Sequence, residues 1–207
     1  MKENKFIQRG TFQAVRQALP KYKESGITAL HLSGVLERDN KQSLNSEQEV
    51  VYKKQDASHT AVTAREKVCS MLGGDQEFQK LVQEAKKHGL KVITDCYARI
   101  SSSRAHRKYK ELMLHFLDPE GRKKICYGTD GLAMNYEDTA MLNYRKVESW
   151  DLLIEETLNF IQKYQVDGIQ LDNGQAWPQI MEPDLEEMYR VDPDGEPAYT
   201  PLDVLNG

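Results

Sequence analysis

The chain is poor in cysteine: among 207 residues there are 3, Cys69, Cys96 and Cys126, odd in number and widely spaced. That pattern argues against a disulfide framework or a cysteine-rich zinc site and suits reduced thiols in a cytoplasmic protein. Long apolar runs are also missing. Nothing approaches the roughly 20 residues that a bilayer-spanning helix needs, and the opening MKENKFIQRG has no apolar signal core. Neither sign of charge dominates, since 28 Lys+Arg against 32 Asp+Glu leave a net charge of −4. Bulk electrostatics therefore offers no footing for nucleic acid or an anionic membrane as partner. A glycine-rich phosphate loop and a metal-spaced His/Cys cluster are absent too, so no cofactor and no metal is expected. What remains is 39% hydrophobic and 29% charged, the composition of a globular chain long enough to bury a core.

One structural phrase occurs three times. In TFQAVRQALPKYKESGITALHLSGV, Phe12, Val15, Leu19 and Tyr22 recur at helical spacing, Gly26 closes the helix and Ile27 to Leu32 read as a strand. Pro20 is expected to kink or restart that helix. In GDQEFQKLVQEAKKHGLKVITDCYA, Asp75 is the expected N-cap. Phe78, Leu81, Val82 and Ala85 form the stripe, Gly89 ends the helix, and Leu90 to Thr94 is the strand with Asp95 at its end. In SWDLLIEETLNFIQKYQVDGIQLDNG, Ser149 is the expected N-cap. Leu153, Thr157, Phe160, Ile161 and Tyr164 share a face, and Val166 to Leu171 is a strand that ends in Asp172. Helix, tight turn, buried strand and long polar loop make a repeated α/β unit with parallel strands. The long segments, about Ser33 to Gly74 and Arg99 to Glu148, all follow strands. Ligands gather on that side of a TIM barrel or a doubly wound sheet. Within the second segment, RAHRKYKELMLHFLD reads as a small helix.

Asp95 and Asp172 occupy the same place in two repeats, where a carboxylate stands at the rim of a strand-end pocket. Retaining glycosidases need two carboxyl groups about 5–5.5 Å apart. The alternative for each is a local role, capping a helix or binding loop amides.

These residues resemble the α-amylase superfamily, glycoside hydrolase family 13, across nearly the whole chain. YKESGITALHLSGVLE is similar to that family's first helix and second barrel strand. LGGDQEFQKLVQEAKKHGLKVITDCYA resembles the second helix and the third strand, which carries the Asp of the first signature region. MLNY is similar to the DLN before the third helix, and VDGIQLDNGQAWP to the fourth strand with its Gly-Phe-Arg-x-Asp signature. The Asp-Asn pair has some likeness to glycogen debranching enzymes. The resemblance implies an α/β fold, a (β/α)8 TIM barrel of which only the first half, about strands one to four, is present. Residues 1–207 would then be a partial glycosidase-type barrel domain of a longer chain, completed in cis, by a partner or by a second copy. The implied activity is α-glucan hydrolysis or transfer, retaining, with Asp172 as nucleophile. The acid/base Glu belongs to strand five, outside this chain. Asp95, Tyr97, Arg99, Gln170, Asn173 and Trp177 are the implied substrate-binding residues, Tyr97 and Trp177 as aromatic faces for sugar rings.

Three positions depart from the family pattern. Gln170 stands where an Arg two residues before the nucleophile is expected, and Arg99-Ile100 replace an Asn-His pair. Glutamine can bond Asp172 but lends it no charge. These changes motivate a second reading, a non-catalytic carbohydrate-binding derivative. A third reading makes Asp95, Asp172 and Glu37 oxygen ligands for Mg²⁺. The basic run Arg99, Arg104, Arg107, Lys108 and Lys110 reads either as an oxyanion site or, preferably, as a solvated basic helix start. Arg99 alone has a further option: its guanidinium could replace the charge missing at Gln170. His31 reads as a core or strand-end histidine, and His59 as an incidental loop residue.

Overall fold

The computed structural model describes residues 10–38, 42–44, 50–53, 58–101, 104, 108–117, 123–125, 127–129 and 135–172. The elements in chain order are helix α1 (Phe12–Glu24), strands β1 (Ala29–Leu32), β2 (Leu36–Arg38), β3 (Gln42–Leu44), β4 (Val50–Lys53) and β5 (Val62–Val68), and helix α2 (Gly74–Lys87). Then come β6 (Lys91–Cys96), β7 (Arg99–Ser101), β8 (His115–Leu117), β9 (Lys123–Ile125), β10 (Tyr127–Thr129), β11 (Asn135–Met141), helix α3 (Val147–Tyr164) and β12 (Gly168–Leu171).

The three repeated phrases become α1–β1, α2–β6 and α3–β12. Their strands form one parallel sheet in the order β1-β6-β12. Leu30 lies opposite Val92, and Ile169 opposite Thr94. Leu30, Leu32, Val92 and Ile169 pack with the helices around Phe12, Leu19, Phe78, Leu81, Phe160 and Tyr164. The Phe12 and Phe78 rings are 4.8 Å apart and those of Phe78 and Tyr164 5.2 Å, so aromatic contacts join all three helices. Because strand side chains alternate, His31, Ile93, Asp95 and Gln170 fall on the opposite face from this core.

The helix ends obey local rules. The Thr11 hydroxyl accepts from the Ala14 amide at 3.1 Å and caps α1. Gly26 and Gly89 take positive φ after α1 and α2, but α3 ends on Gln165, a non-glycine at φ 57°. Pro20 does not restart α1: the helix runs through it, with fully buried Leu19 holding that turn in the core.

Two expected caps are corrected. The α2 cap position is Gly73, at φ 124°, where a Cβ would stand 3.0 Å from Glu77 Cβ. Asp75 sits inside the first turn and instead accepts from Lys163 and, at 2.6 Å, from the Tyr164 hydroxyl of α3. Helix α3 starts three residues earlier than expected, with Lys146 at the cap. The Trp150 indole donates to the Tyr144 carbonyl at 2.8 Å and the two rings lie 4.9 Å apart, which fixes this entry. Ser149 is consequently buried.

The long post-strand segments are also more regular than expected. The first carries the antiparallel pairs β2–β5 and β3–β4, and the second carries β10-β11-β7 and β8–β9. Of RAHRKYKELMLHFLD, the described Arg104 and Lys108 are helical, but the expected helix does not run on through the rest. Lys110–Leu112 is a single 3-10 turn, Met113 bridges to Leu142, and His115 begins β8. The pairing draws Met113 into a second core with Ile100, Ala140, Leu142, Tyr144 and Leu153, and burial there outweighs the local helical pattern. Cys69 and Cys96 are free and buried; Cys126 lies outside the described residues. No helix among them is long and apolar enough to cross a membrane.

Candidate active site at the strand ends

Asp95 is the fifth residue of β6 and Asp172 directly follows β12. Those strands are adjacent and parallel, with Gln170 opposite Asp95 and Leu171 opposite Cys96. The Asp172 amide donates to the Cys96 carbonyl at 2.9 Å. Both aspartates therefore stand at the carboxyl end of one sheet.

Their surroundings differ. Asp95 is buried and saturated with donors: His31 Nε2 lies 2.6 Å from Oδ1, while the Tyr97 hydroxyl (2.6 Å) and the Gly34 amide (3.2 Å) donate to Oδ2. Burial pushes its carboxyl up, but bonds from Ser33, Tyr97, His31 and Gly34 outweigh that and hold it below the ordinary value. Asp172 is half-buried and shifted the other way. Burial comes first, reinforced by the Asp95 charge, and the charges of Arg99 and His59 only partly offset it. Tyr97 is pushed well above the ordinary phenol value by burial and by its bond to Asp95.

Behind these groups lies an ionic cluster. Arg65 of β5 is 1% exposed. It donates Nη1 to Glu156 of α3 at 2.9 Å, Nε to the Tyr97 carbonyl at 3.0 Å, and Nη2 to the carbonyls of Arg99 (3.1 Å) and Ala98 (3.4 Å). Arg104 pairs with the same Glu156. Burial raises the Glu156 carboxyl, but Arg104 and Arg65 outweigh it and hold it below the ordinary range. Arg99 and Arg104, expected on a solvated basic face, are buried; Arg107 lies outside the described residues. For Arg104 the correction follows from Glu156, a carboxylate on the buried side of α3 that makes burial of its partners Arg104 and Arg65 tolerable.

The remaining expected site residues divide. Tyr97, Arg99 and Gln170 lie at the same end of the sheet as the aspartates, with Gln170 exposed; Asn173 and Trp177 fall outside the described residues. His31, near the end of β1, is the strand-end histidine of the two alternatives and a direct partner of Asp95. His59 packs edge-on against Tyr97 at 5.9 Å and its charge reaches Asp172. Ser58 anchors it by donating through its amide and hydroxyl to Asp138 at 2.8 and 3.1 Å. Gly34, at φ +69°, allows the approach, since a Cβ there would lie 3.1 Å from His59 Cβ. A cavity of about 690 Å³ opens between His31, Ser33, Arg38, His59 and the start of α1. Sequence reasoning missed Arg65 and Glu156 altogether: Glu156 falls on the buried helix face between Leu153 and Phe160, which is a signal, whereas Arg65 stands in the charged run Arg65-Glu66-Lys67 and carries none. Glu37 accepts from the Ser70 amide at 3.0 Å. Among the described residues no group of three or more His, Cys, Asp or Glu is arranged to hold a metal ion.

No protein-family model matches the chain. Among curated proteins it is similar to the malto-oligosyltrehalose trehalohydrolase of Saccharolobus solfataricus, with 26% identity over 176 residues, covering 81% of this chain and 25% of that protein. The chain thus spans about a quarter of that relative's length. Solved structures with a similar fold include a maltogenic α-amylase from Thermotoga neapolitana, at TM-score 0.60 and 18% identity, covering 89% of this chain and 39% of that one. An α-amylase from Lactobacillus plantarum aligns at TM-score 0.61 and 17% identity, covering 95% and 47%. In sequence and in fold, the chain resembles the α-amylase superfamily, as part of one of its domains.

Proposed function

We propose that this chain is the first part of an α-glucan-active barrel of the α-amylase type, a hydrolase or glucanotransferase that works by retention through Asp172. The observation that carries this reading is the placement of Asp95 and Asp172 at the carboxyl ends of adjacent parallel strands. Parallel α/β barrels build their active sites there. The similarity to a trehalohydrolase supports an α-linked glucoside as substrate.

In this scheme Asp172 attacks the anomeric carbon as the leaving oxygen is protonated by an acid/base residue supplied from beyond this chain. Water then releases the sugar. Asp95, tied to His31, Tyr97 and Gly34, is built to stay ionised and to orient its neighbours rather than to react. Exposure of Ile154 (49%), Leu158 (49%) and Leu171 (53%) supports a larger barrel that covers this face of α3 and the β12 edge.

The test is incubation of the full-length gene product with maltooligosaccharides and glycogen, with and without Asp172→Asn, followed by trapping with a fluorinated glucosyl fluoride. The expected result is turnover lost in the variant and a glucosyl adduct on the peptide containing Asp172. A second reading, a glucan-binding derivative without catalysis, is favoured by Gln170, a neutral side chain that lends Asp172 no charge. Glucan binding with no turnover and no adduct selects it.

A further inference from the structure

The site contains an apparent deficit: a half-buried carboxylate at Asp172 with neutral Gln170 where its supporting cation is expected. We propose that Arg99 supplies that charge from β7, just past the neighbouring strand β6, and that Arg65 is the positioning residue that holds Arg99 in place. The role given to Asp172 rests on the function proposed above; the pairing itself is a statement about geometry.

The geometry begins with the backbone. Asp172 is bonded through its amide to Cys96, and Arg99 lies only three residues beyond Cys96. The turn between them is held at every carbonyl that follows. Arg65 takes the oxygens of Tyr97, Ala98 and Arg99, and the Tyr144 hydroxyl donates to Ala98 at 2.7 Å. Arg99 then opens β7, opposite Met141 of β11. A turn gripped on three consecutive carbonyls has little freedom to move the side chain it carries.

The charges are divided in a way that suits this role. Arg65 and Arg104 share the carboxylate of Glu156, so their charge is committed behind the turn. Arg99 is 8% exposed, and its charge acts on Asp172. It opposes both burial and the Asp95 charge at that carboxyl, and His59, packed edge-on against Tyr97, acts in the same sense. Arginine also fits Arg65's place better than lysine, because a planar fork can reach three carbonyls and a carboxylate together.

The experiment is a ¹³C-carboxyl titration of the full-length protein, with the Asp172 signal assigned through Asp172→Asn. Arg99→Gln is expected to raise the Asp172 midpoint by about one unit or more, and adding Gln170→Arg to that variant should lower it again. Arg65→Lys keeps a cation beside Glu156 but loses the fork. It should raise the Asp172 midpoint with an unchanged circular-dichroism spectrum. An Asp172 midpoint that stays put in Arg99→Gln overturns the pairing, and one that stays put in folded Arg65→Lys overturns the positioning role. The readout needs no turnover. An Arg99-dependent midpoint in an inactive protein supports this inference while removing the glycosidase reading.

Discussion

Asp95 and Asp172 end adjacent parallel strands, yet their carboxyls are driven in opposite directions. Asp95 has hydrogen-bond donors on both oxygens, and its folded value falls below the ordinary one of about 3.9. The stability it contributes is present above about pH 4 and is lost as pH falls through the folded value. Asp172 has the reverse sign. Its folded value lies above the unfolded one, so ionising it costs stability as pH rises past about 4. Asp95→Asn should therefore lower the Tm at pH 7 and flatten the acid limb, whereas Asp172→Asn should raise the Tm at pH 7 and leave it unchanged near pH 3. Calorimetry from pH 3 to 7 checks both, and equal responses in the two variants would refute the assignment.

Glu156 is the shared anion of two buried arginines. Glu156→Gln leaves both cations without a counter-charge, and a broken buried pair costs about 3–5 kcal/mol. Urea unfolding should show that loss. Loosening should extend to the Tyr97–Arg99 turn, visible as faster amide exchange there, because Arg65 is held between that turn and Glu156.

Gln165 ends α3 in the left-handed region, where the two preceding repeats use Gly26 and Gly89. A side chain in that conformation costs about 1–2 kcal/mol, part of which glycine returns as lost chain entropy. Gln165→Gly should stabilise the protein by about 0.5–1 kcal/mol in a denaturant melt, and any destabilisation would mean that the Gln165 bond to the Gln162 carbonyl matters more than the strain.

The three repeats were readable because their signals are local. Helical spacing marks Phe78, Leu81, Val82 and Ala85, glycine marks the turn at Gly89, and a continuous apolar run marks a strand covered on its helix side. The same logic placed Asp95 and Asp172 at strand ends. It failed at Asp75 and Ser149, good capping residues that tertiary contacts recruited or buried elsewhere. It failed again at Met113, whose partner Leu142 is remote in sequence.

The sequence by itself determined the α/β repeat, its turns and the position of each strand-end carboxylate, since these depend on neighbours within a few residues. Only the tertiary structure decided the state of those carboxylates. The contacts at this site reach from His31 to Asp95 and from Arg65 to Tyr97 and Glu156, and the charges of Asp95 and Arg99 act on Asp172 in opposite senses. Charge and burial at a site depend on what folding brings within a few ångströms, and no periodicity along the chain encodes that.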